Sequence, residues 1–278
     1  MKRPGGETKL AAVIGDPVRH SLSPLIHNTA FELLGLDWVF LAFEISRGSA
    51  QAALDAMRSL GIEGLSVTMP LKSEILKGLD RVSSIAQRLE AVNVVHRLGN
   101  DLVGDSTDGQ GFINALRYDQ NFDPQGKRCV VFGAGGAARA VILALAEAGA
   151  TDLAIVARRE NQAQAAAGLA ESVGRVGAPE DVTGADLVVN ATPIGMKIDS
   201  SVLDVPFDPE LVGAGQLVCD LIYHPLETPL LVQAASKGAQ VSNGVGMLIH
   251  QAALSFKLWT GEPAPLEAMY AAVNEALI

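Results

Sequence analysis

The chain has 278 residues, 49% of them apolar and 5% aromatic, and a formal net charge of −10. That length favours about two domains around a large core. The acidic balance excludes a surface built for nucleic acid or for an anionic membrane. The two cysteines, Cys129 and Cys219, fall inside predicted buried strands and show neither a disulfide framework nor metal spacing, which points to a reducing compartment. Residues 1–9 are polar, with no signal-peptide pattern, and no apolar run is long enough to span a membrane; a cytoplasmic protein is expected.

In chain order, Leu10–Ile14 reads as a strand closed by Gly15-Asp16-Pro17. Ser23 as N-cap and Pro24 at the first helical position open a helix that runs to about Leu34 and stops at Gly35. Trp38–Phe43 is a strand, Ser49–Leu60 an amphipathic helix, and Leu65–Thr68 a strand broken by Pro70. Helical segments are expected over Ser73–Leu79 and Val82–Leu89, then a strand at Ala91–Arg97 turned by Gly99-Asn100 into a short partner at Leu102-Val103. This alternation makes residues 1–110 an α/β layer structure without a phosphate loop of its own.

Helix Gly111–Tyr118 and the polar turn 120–126 lead into a second region, expected over 111–243. Cys129–Phe132 is a short buried strand; from Gly136 the apolar spacing becomes helical and ends at Gly149. Between them lies G-x-G-x-x-A: Gly133 for the tight turn, Gly135 for close approach of backbone to phosphate, and Ala138 as the small residue for helix–strand packing. The helix start would receive a pyrophosphate on its N–H groups, so this is read as a Rossmann-type dinucleotide-binding domain. The next strand, Asp152–Ala157, ends in Arg158 and Arg159 where an NAD site usually carries an acidic residue, and two guanidiniums there suit the 2′-phosphate of NADP. A helix is expected at Gln162–Glu171, strands at Leu187–Asn190 and Leu217–Leu221, a helix at Pro229–Lys237 and a strand at Ala239–Ser242. The remainder, 244–278, reads as two helices, Met247–Trp259 and Leu266–Leu277, that return to the first domain.

The first region carries polar residues where ligands bind in open α/β sheets, at strand ends. These are Ser21 and Ser23, Thr68 and Lys72, Asn93, and Asp105-Ser106-Thr107-Asp108. Short hydroxyls and an amide suit a small polyhydroxylated ligand, and a Lys–Asp pair can hold an ammonium for proton transfer. From spacing alone, Lys72 reads better as a solvated lysine at a helix start, Ser21 and Ser23 read equally as helix caps, and Asp108 as a turn or cap residue; only the resemblance below reverses the reading of Lys72. His20, His27, His96, His224 and His250 form no metal spacing.

Taken together, the motifs resemble the shikimate dehydrogenase family almost end to end. The likeness is carried by Gly15-Asp16-Pro17…His20-Ser21-Leu22-Ser23-Pro24, Ser66-Val67-Thr68-Met69-Pro70-Leu71-Lys72, Ala91-Val92-Asn93 and Gly104-Asp105-Ser106-Thr107-Asp108-Gly109. It continues through Gly133-Ala134-Gly135-Gly136-Ala137, Asn190-Ala191-Thr192-Pro193, Asp220-Leu221-Ile222-Tyr223-His224-Pro225 and Asn243-Gly244-Val245-Gly246-Met247…Gln251. The resemblance implies NADP-dependent reduction of 3-dehydroshikimate to shikimate, in the synthesis of aromatic amino acids; a monomer or homodimer is expected. It implies that Ser21, Ser23, Thr68, Asn93 and Gln251 bind the substrate, that Lys72 and Asp108 are the acid–base pair, and that Tyr223 lines the site. The phosphates fall to Gly133, Ala134, Gly135, Gly136 and Ala137, the 2′-phosphate to Arg158 and its neighbour Arg159, and the nicotinamide to Thr192, Leu221 and Gly244. Serine stands at 66 and 106 where the family often has Asn, and Ala157-Arg158-Arg159 replaces the usual Asn-Arg-Thr or Asn-Arg-Ser. The alternatives are a quinate/shikimate dehydrogenase using NAD, and a nucleotide sensor of the same fold that does no chemistry.

Overall fold

The computed structural model describes residues 3–196 and 205–277. By contacts the chain divides into two units, the residues through Thr107 together with those from Ile249 onward, and Asp108–Leu248.

The first unit holds a six-stranded mixed sheet in the order β2-β1-β3-β5-β6-β4. Strands β1 (Lys9–Gly15), β2 (Trp38–Glu44) and β3 (Gly64–Val67) run parallel; β5 (Val94–Leu98) is antiparallel to β3 and to β6 (Asp101–Asp105). Helix α1 (Ser23–Leu33) buries Ile26, His27, Ala30 and Phe31, spaced i, i+1, i+4, i+5 along one face. Helix α2 (Ala50–Ser59) buries Ala50, Ala53, Leu54 and Met57. No side chain of Ser49 caps α2. The Glu74 carboxylate does so instead, accepting the N–H groups of Gly48 (2.8 Å) and Ala50 (2.9 Å), and these bonds hold its pKa below the usual carboxylate range.

Three local readings are corrected. Helix α1 starts one residue before Pro24, at Ser23; Ser23 does not cap it, and its N–H donates to the Ser21 hydroxyl at 3.2 Å. Residues 73–79 yield only a single 3₁₀ turn, Ile75–Gly78. Val82 is not helical: Arg81–Val82 forms β4 against Val103 and Gly104, and helix α3 (Ser84–Leu89) begins after Ser83, whose hydroxyl accepts from the Ala86 N–H. The open edge of β6 holds Arg81–Val82 extended.

The second unit is an all-parallel six-stranded sheet in the order β12-β11-β10-β7-β8-β9. Its members are β7 (Arg128–Phe132), β8 (Asp152–Val156), β9 (Gly174–Val176), β10 (Leu187–Asn190), β11 (Leu217–Asp220) and β12 (Gln240–Ser242). Apolar runs such as Leu187-Val188-Val189 are buried on both faces, as a parallel sheet requires. Helix α4 (Asp108–Asn114) runs on into a π turn to Asp119; it packs on α5 (Gly136–Glu147), which is why the boundary falls ahead of Asp108. Helix α6 is shorter than its alanine-rich pattern suggests, Glu160–Ala167, followed by 3₁₀ turns to Val173. Helix α7 is Pro229–Ser236; α8 (Val245–Thr260) contains the second boundary, and α9 (Leu266–Leu277) packs on α1. Among the described residues no helix is long and apolar enough to cross a membrane.

Candidate substrate and cofactor sites

In the first unit, strand direction alone gathers the candidate residues. β1 and β3 are parallel and end at Gly15 and Val67, so the segments carrying Ser21 and Ser23 and carrying Thr68 and Lys72 leave the same sheet edge. β5 is antiparallel to β3, so Asn93, just before its first residue, lies at that edge; β6 is antiparallel to β5 and delivers Ser106 and Thr107 there too. Backbone bonds tie these segments together: Thr68 N–H to the Ile14 carbonyl (3.0 Å), Asp16 N–H to Met69 (2.9 Å), Val67 N–H to Asn93 (2.7 Å) and Val92 N–H to Lys72 (2.8 Å). Gly15 leaves room for this crossing, since a Cβ there would lie 2.7 Å from the Met69 carbonyl oxygen.

Asn93 is 5% exposed and is fixed by Thr107: its Nδ2 donates to the Thr107 hydroxyl (2.9 Å) and its Oδ1 accepts the Thr107 N–H (2.8 Å). Thr107 meets the Ser255 hydroxyl at 3.3 Å, and Ser255 donates to the carbonyl of Gln251 one turn back on α8. Further along that helix the Trp259 indole lies over Gly64, where no Cβ fits, and donates to the Val95 carbonyl at 3.1 Å, which sets the position of α8 and with it Gln251. Ser21, Thr68, Lys72 and Gln251 are half-buried. Because the Ser21 oxygen accepts the Ser23 N–H, its own proton remains available to a ligand. Thr107 and Ser255 are supporting residues that the sequence reading did not single out for this role; Ser255 carries no motif signal.

In the second unit, β7 and β10 are neighbours while the chain goes from β7 to β8 on the other side, so the strand order reverses between them. That reversal opens a crevice beyond the carboxyl ends. Gly133 leaves β7 with φ +117, and a Cβ there would lie 2.9 Å from the Ala191 carbonyl oxygen just past β10. Gly135 is the N-cap of α5 without a side-chain cap, and neither Gly135 nor Gly136 has an atom within 4 Å of where a Cβ would stand. The first-turn N–H groups of this twelve-residue helix therefore face outward beside bare backbone, the arrangement a phosphate needs. Ala138 is fully buried, as close helix–strand packing requires.

The crevice is a cavity of about 380 Å³ bounded by Gly133, Ala134 and Gly135, by Ala157, Arg158, Arg159 and Gln162, and by Ala191, Thr192, Pro193 and Ile194. Both arginines are exposed, and no carboxylate stands among the described residues lining it. Leu221 and Gly244 meet each other: a Cβ on Gly244 would run into the Leu221 carbonyl, and the Gly244 N–H donates to Ile222 at 2.9 Å. Tyr223 is half-buried, which raises its hydroxyl pKa. Asp108 is buried and opens α4.

Comparison with known proteins adds three family matches. Residues 13–95 match the shikimate dehydrogenase substrate binding domain, 121–195 a putative NAD(P)-binding domain, and 244–273 the shikimate 5'-dehydrogenase C-terminal domain. A shikimate dehydrogenase (NADP(+)) of Moorella thermoacetica is 43% identical over 97% of this chain and 94% of its own length. A crystal structure of a shikimate dehydrogenase in complex with NADP+ superposes with a TM-score of 0.94 at 37% identity, covering 99% of this chain and 98% of that one. The shikimate 5-dehydrogenase of Thermus thermophilus in complex with NADP(H) and shikimate gives 0.90 at 38% identity, covering 97% of this chain and all of that one.

Proposed function

The chain belongs to the shikimate dehydrogenase family, and on that premise we propose that it interconverts 3-dehydroshikimate and shikimate with NADP. The observation that carries the cofactor is the cleft of the second unit: bare glycine backbone and an uncapped helix start at one end, two guanidiniums and, among the described residues lining it, no carboxylate on the wall at the end of β8. Bound NADPH supplies the hydride for reduction, and NADP+ accepts it in the reverse direction.

The chain's own residues do the rest. Gly133–Ala137 offer backbone N–H groups to the phosphates, and Arg158 pairs with the 2′-phosphate, with Arg159 beside it. Thr192, Leu221 and Gly244 border the nicotinamide. Ser21 and Ser23 donate to the substrate carboxylate, while Thr68, Asn93 and Gln251 hold its hydroxyls and Tyr223 lines the site. Lys72 donates a proton to the ketone oxygen as the carbonyl carbon is reduced and takes it back on oxidation; Asp108 is its acid–base partner. These roles rest on the motifs, and the common sheet edge supports those of Thr68, Lys72 and Asn93.

The test is a steady-state assay of the purified chain on shikimate and quinate, each with NADP+ and NAD+. The highest kcat/KM is expected for shikimate with NADP+. Lys72→Met should lower kcat by about 10²–10⁴ and change substrate affinity much less. A protein that bound NADP+ and turned over no cyclohexene or cyclohexane polyol would be a sensor. Near wild-type kcat in Lys72→Met would assign the proton to another group.

A further inference from the structure

Two residues that received no role in the sequence reading are fully buried polar side chains behind the Thr192–Ile194 wall of the cofactor cleft. Asn190 ends β10 and Asp220 ends β11; both are fully buried, each the only polar residue in its strand apart from the thiol of Cys219. A buried amide and carboxylate are costly unless their polar atoms are paired, and these are paired in one direction. Asn190 Oδ1 accepts both the N–H (3.0 Å) and the hydroxyl (2.7 Å) of Thr192; Nδ2 donates to the Ile194 carbonyl (3.2 Å) and to Asp220 Oδ1 (3.1 Å). The Thr192 oxygen in turn accepts the Ile194 N–H at 3.2 Å.

Asp220 completes the arrangement. Its Oδ1 also accepts the Ile222 N–H (3.2 Å), and its Oδ2 accepts the hydroxyl of Thr228 (2.8 Å), the residue that caps α7. An ionised carboxylate only accepts hydrogen bonds, so it selects the flip of the Asn190 amide that turns Nδ2 toward Asp220 and Oδ1 toward Thr192. Burial raises the Asp220 carboxyl pKa, so this carboxylate is kept at a cost to the fold.

We propose that Asn190 is a positioning residue for the dinucleotide: oriented by Asp220, it fixes the Thr192–Ile194 wall of the cleft at the nicotinamide end. The inference rests on the NADP reading of that cleft. Asn190 touches the wall and acts on the cofactor only through it.

The experiment measures binding of two probes to the full chain by calorimetry. NADP+ spans the cleft; adenosine 2′,5′-bisphosphate carries the 2′-phosphate assigned to Arg158 and has no nicotinamide. Asn190→Ala should weaken NADP+ roughly tenfold, the value of one to two lost hydrogen bonds, and change the bisphosphate by no more than about twofold. Because both act on one wall, Asn190→Ala combined with Thr192→Val should bind NADP+ no worse than the poorer single variant. Asp220→Asn, which keeps an acceptor for Asn190 and Ile222, should restore most of the affinity lost in Asp220→Ala. Should Asn190→Ala fail to fold, Thr192→Val alone must show the same split between probes. Equal losses for both probes, or unchanged NADP+ affinity, would overturn the proposal while leaving the cofactor reading standing. A wild type that bound neither probe would overturn both.

Discussion

Asn93 holds the most testable hydrogen bonds of the sheet edge proposed to bind substrate. It is 5% exposed, and its side chain accepts the Thr107 N–H at 2.8 Å and donates to the Thr107 hydroxyl at 2.9 Å. Thr107 is itself 5% exposed, so in Asn93→Ala its N–H is buried without an acceptor, while its hydroxyl keeps Ser255. An orphaned buried N–H costs about 1–3 kcal/mol and the second lost bond about 1 kcal/mol, a total of about 2–4 kcal/mol. For a protein of this size each kcal/mol lowers Tm by about 2–4 °C, so the melting point should fall by roughly 4–16 °C. Asn93→Asp is the control: an oxygen remains for the Thr107 N–H, so part of the stability returns, offset by the cost of burying a carboxylate. Its added negative charge should still weaken binding of a carboxylate ligand. Calorimetric melting of both variants, with KM for shikimate and for NADP+, makes the measurement. The reasoning predicts KM for shikimate raised in both and KM for NADP+ near wild type. An Asn93→Ala protein as stable as wild type would refute the anchoring argument. Loss confined to NADP+ would refute the placement of Asn93 at a substrate site.

Arg158→Ala should raise KM for NADP+ by roughly ten- to a hundredfold, the value of a charge-assisted hydrogen bond, and leave KM for NAD+ nearly unchanged; equal losses with both would remove Arg158 from the 2′-phosphate. Burial holds the Asp220 carboxyl above its ordinary value of 3.8, so the folded state binds a proton more tightly than the unfolded. Stability from this group is present below that ordinary value and is lost as pH rises through the raised one. The stability difference between Asp220→Asn and wild type should therefore shift in favour of the variant as pH climbs out of the acid range, measured by denaturant melts, and a flat difference would contradict it. Burial pushes the Cys129 thiol up to about 12 and the Cys219 thiol higher still, so neither should react with a thiol reagent at pH 8 until the chain unfolds. Labelling of the native protein at the rate of a small thiol would be inconsistent with both burials.

What the sequence disclosed tracks the range of the forces involved. Strands of near-continuous apolar residues, such as Leu187–Asn190, and helices bounded by glycine or proline, such as α5 and α7, were readable because a few neighbouring residues decide them. β9 escaped because Gly174-Arg175-Val176 has no pattern of its own. It is a strand because β8 offers an open edge and because Gly174 has no Cβ to strike the Ala167 carbonyl. β4 escaped for the same reason: only the edge of β6 makes Arg81–Val82 extended. The division of the chain likewise fell at Asp108, three residues ahead of Gly111, because helix packing and not linker polarity sets it.

The sites divide along the same line. Residues with a chemical signature were visible one at a time: glycines before a helix, arginines after a strand, a lysine past a strand end. Their assembly follows from strand direction, since an antiparallel hairpin is what brings Asn93 and Thr107 to the edge already occupied by Thr68. Their support is harder to read, because the partners are far apart in the chain. Ser255 lies 148 positions from Thr107, and Asn190 and Asp220 lie 30 apart in strands that read as plain core. A polar residue closing an otherwise apolar strand was the signal present in both motifs, and in β10 it stands directly before Ala191, Thr192, Pro193 and Ile194, which line the cavity of the second unit.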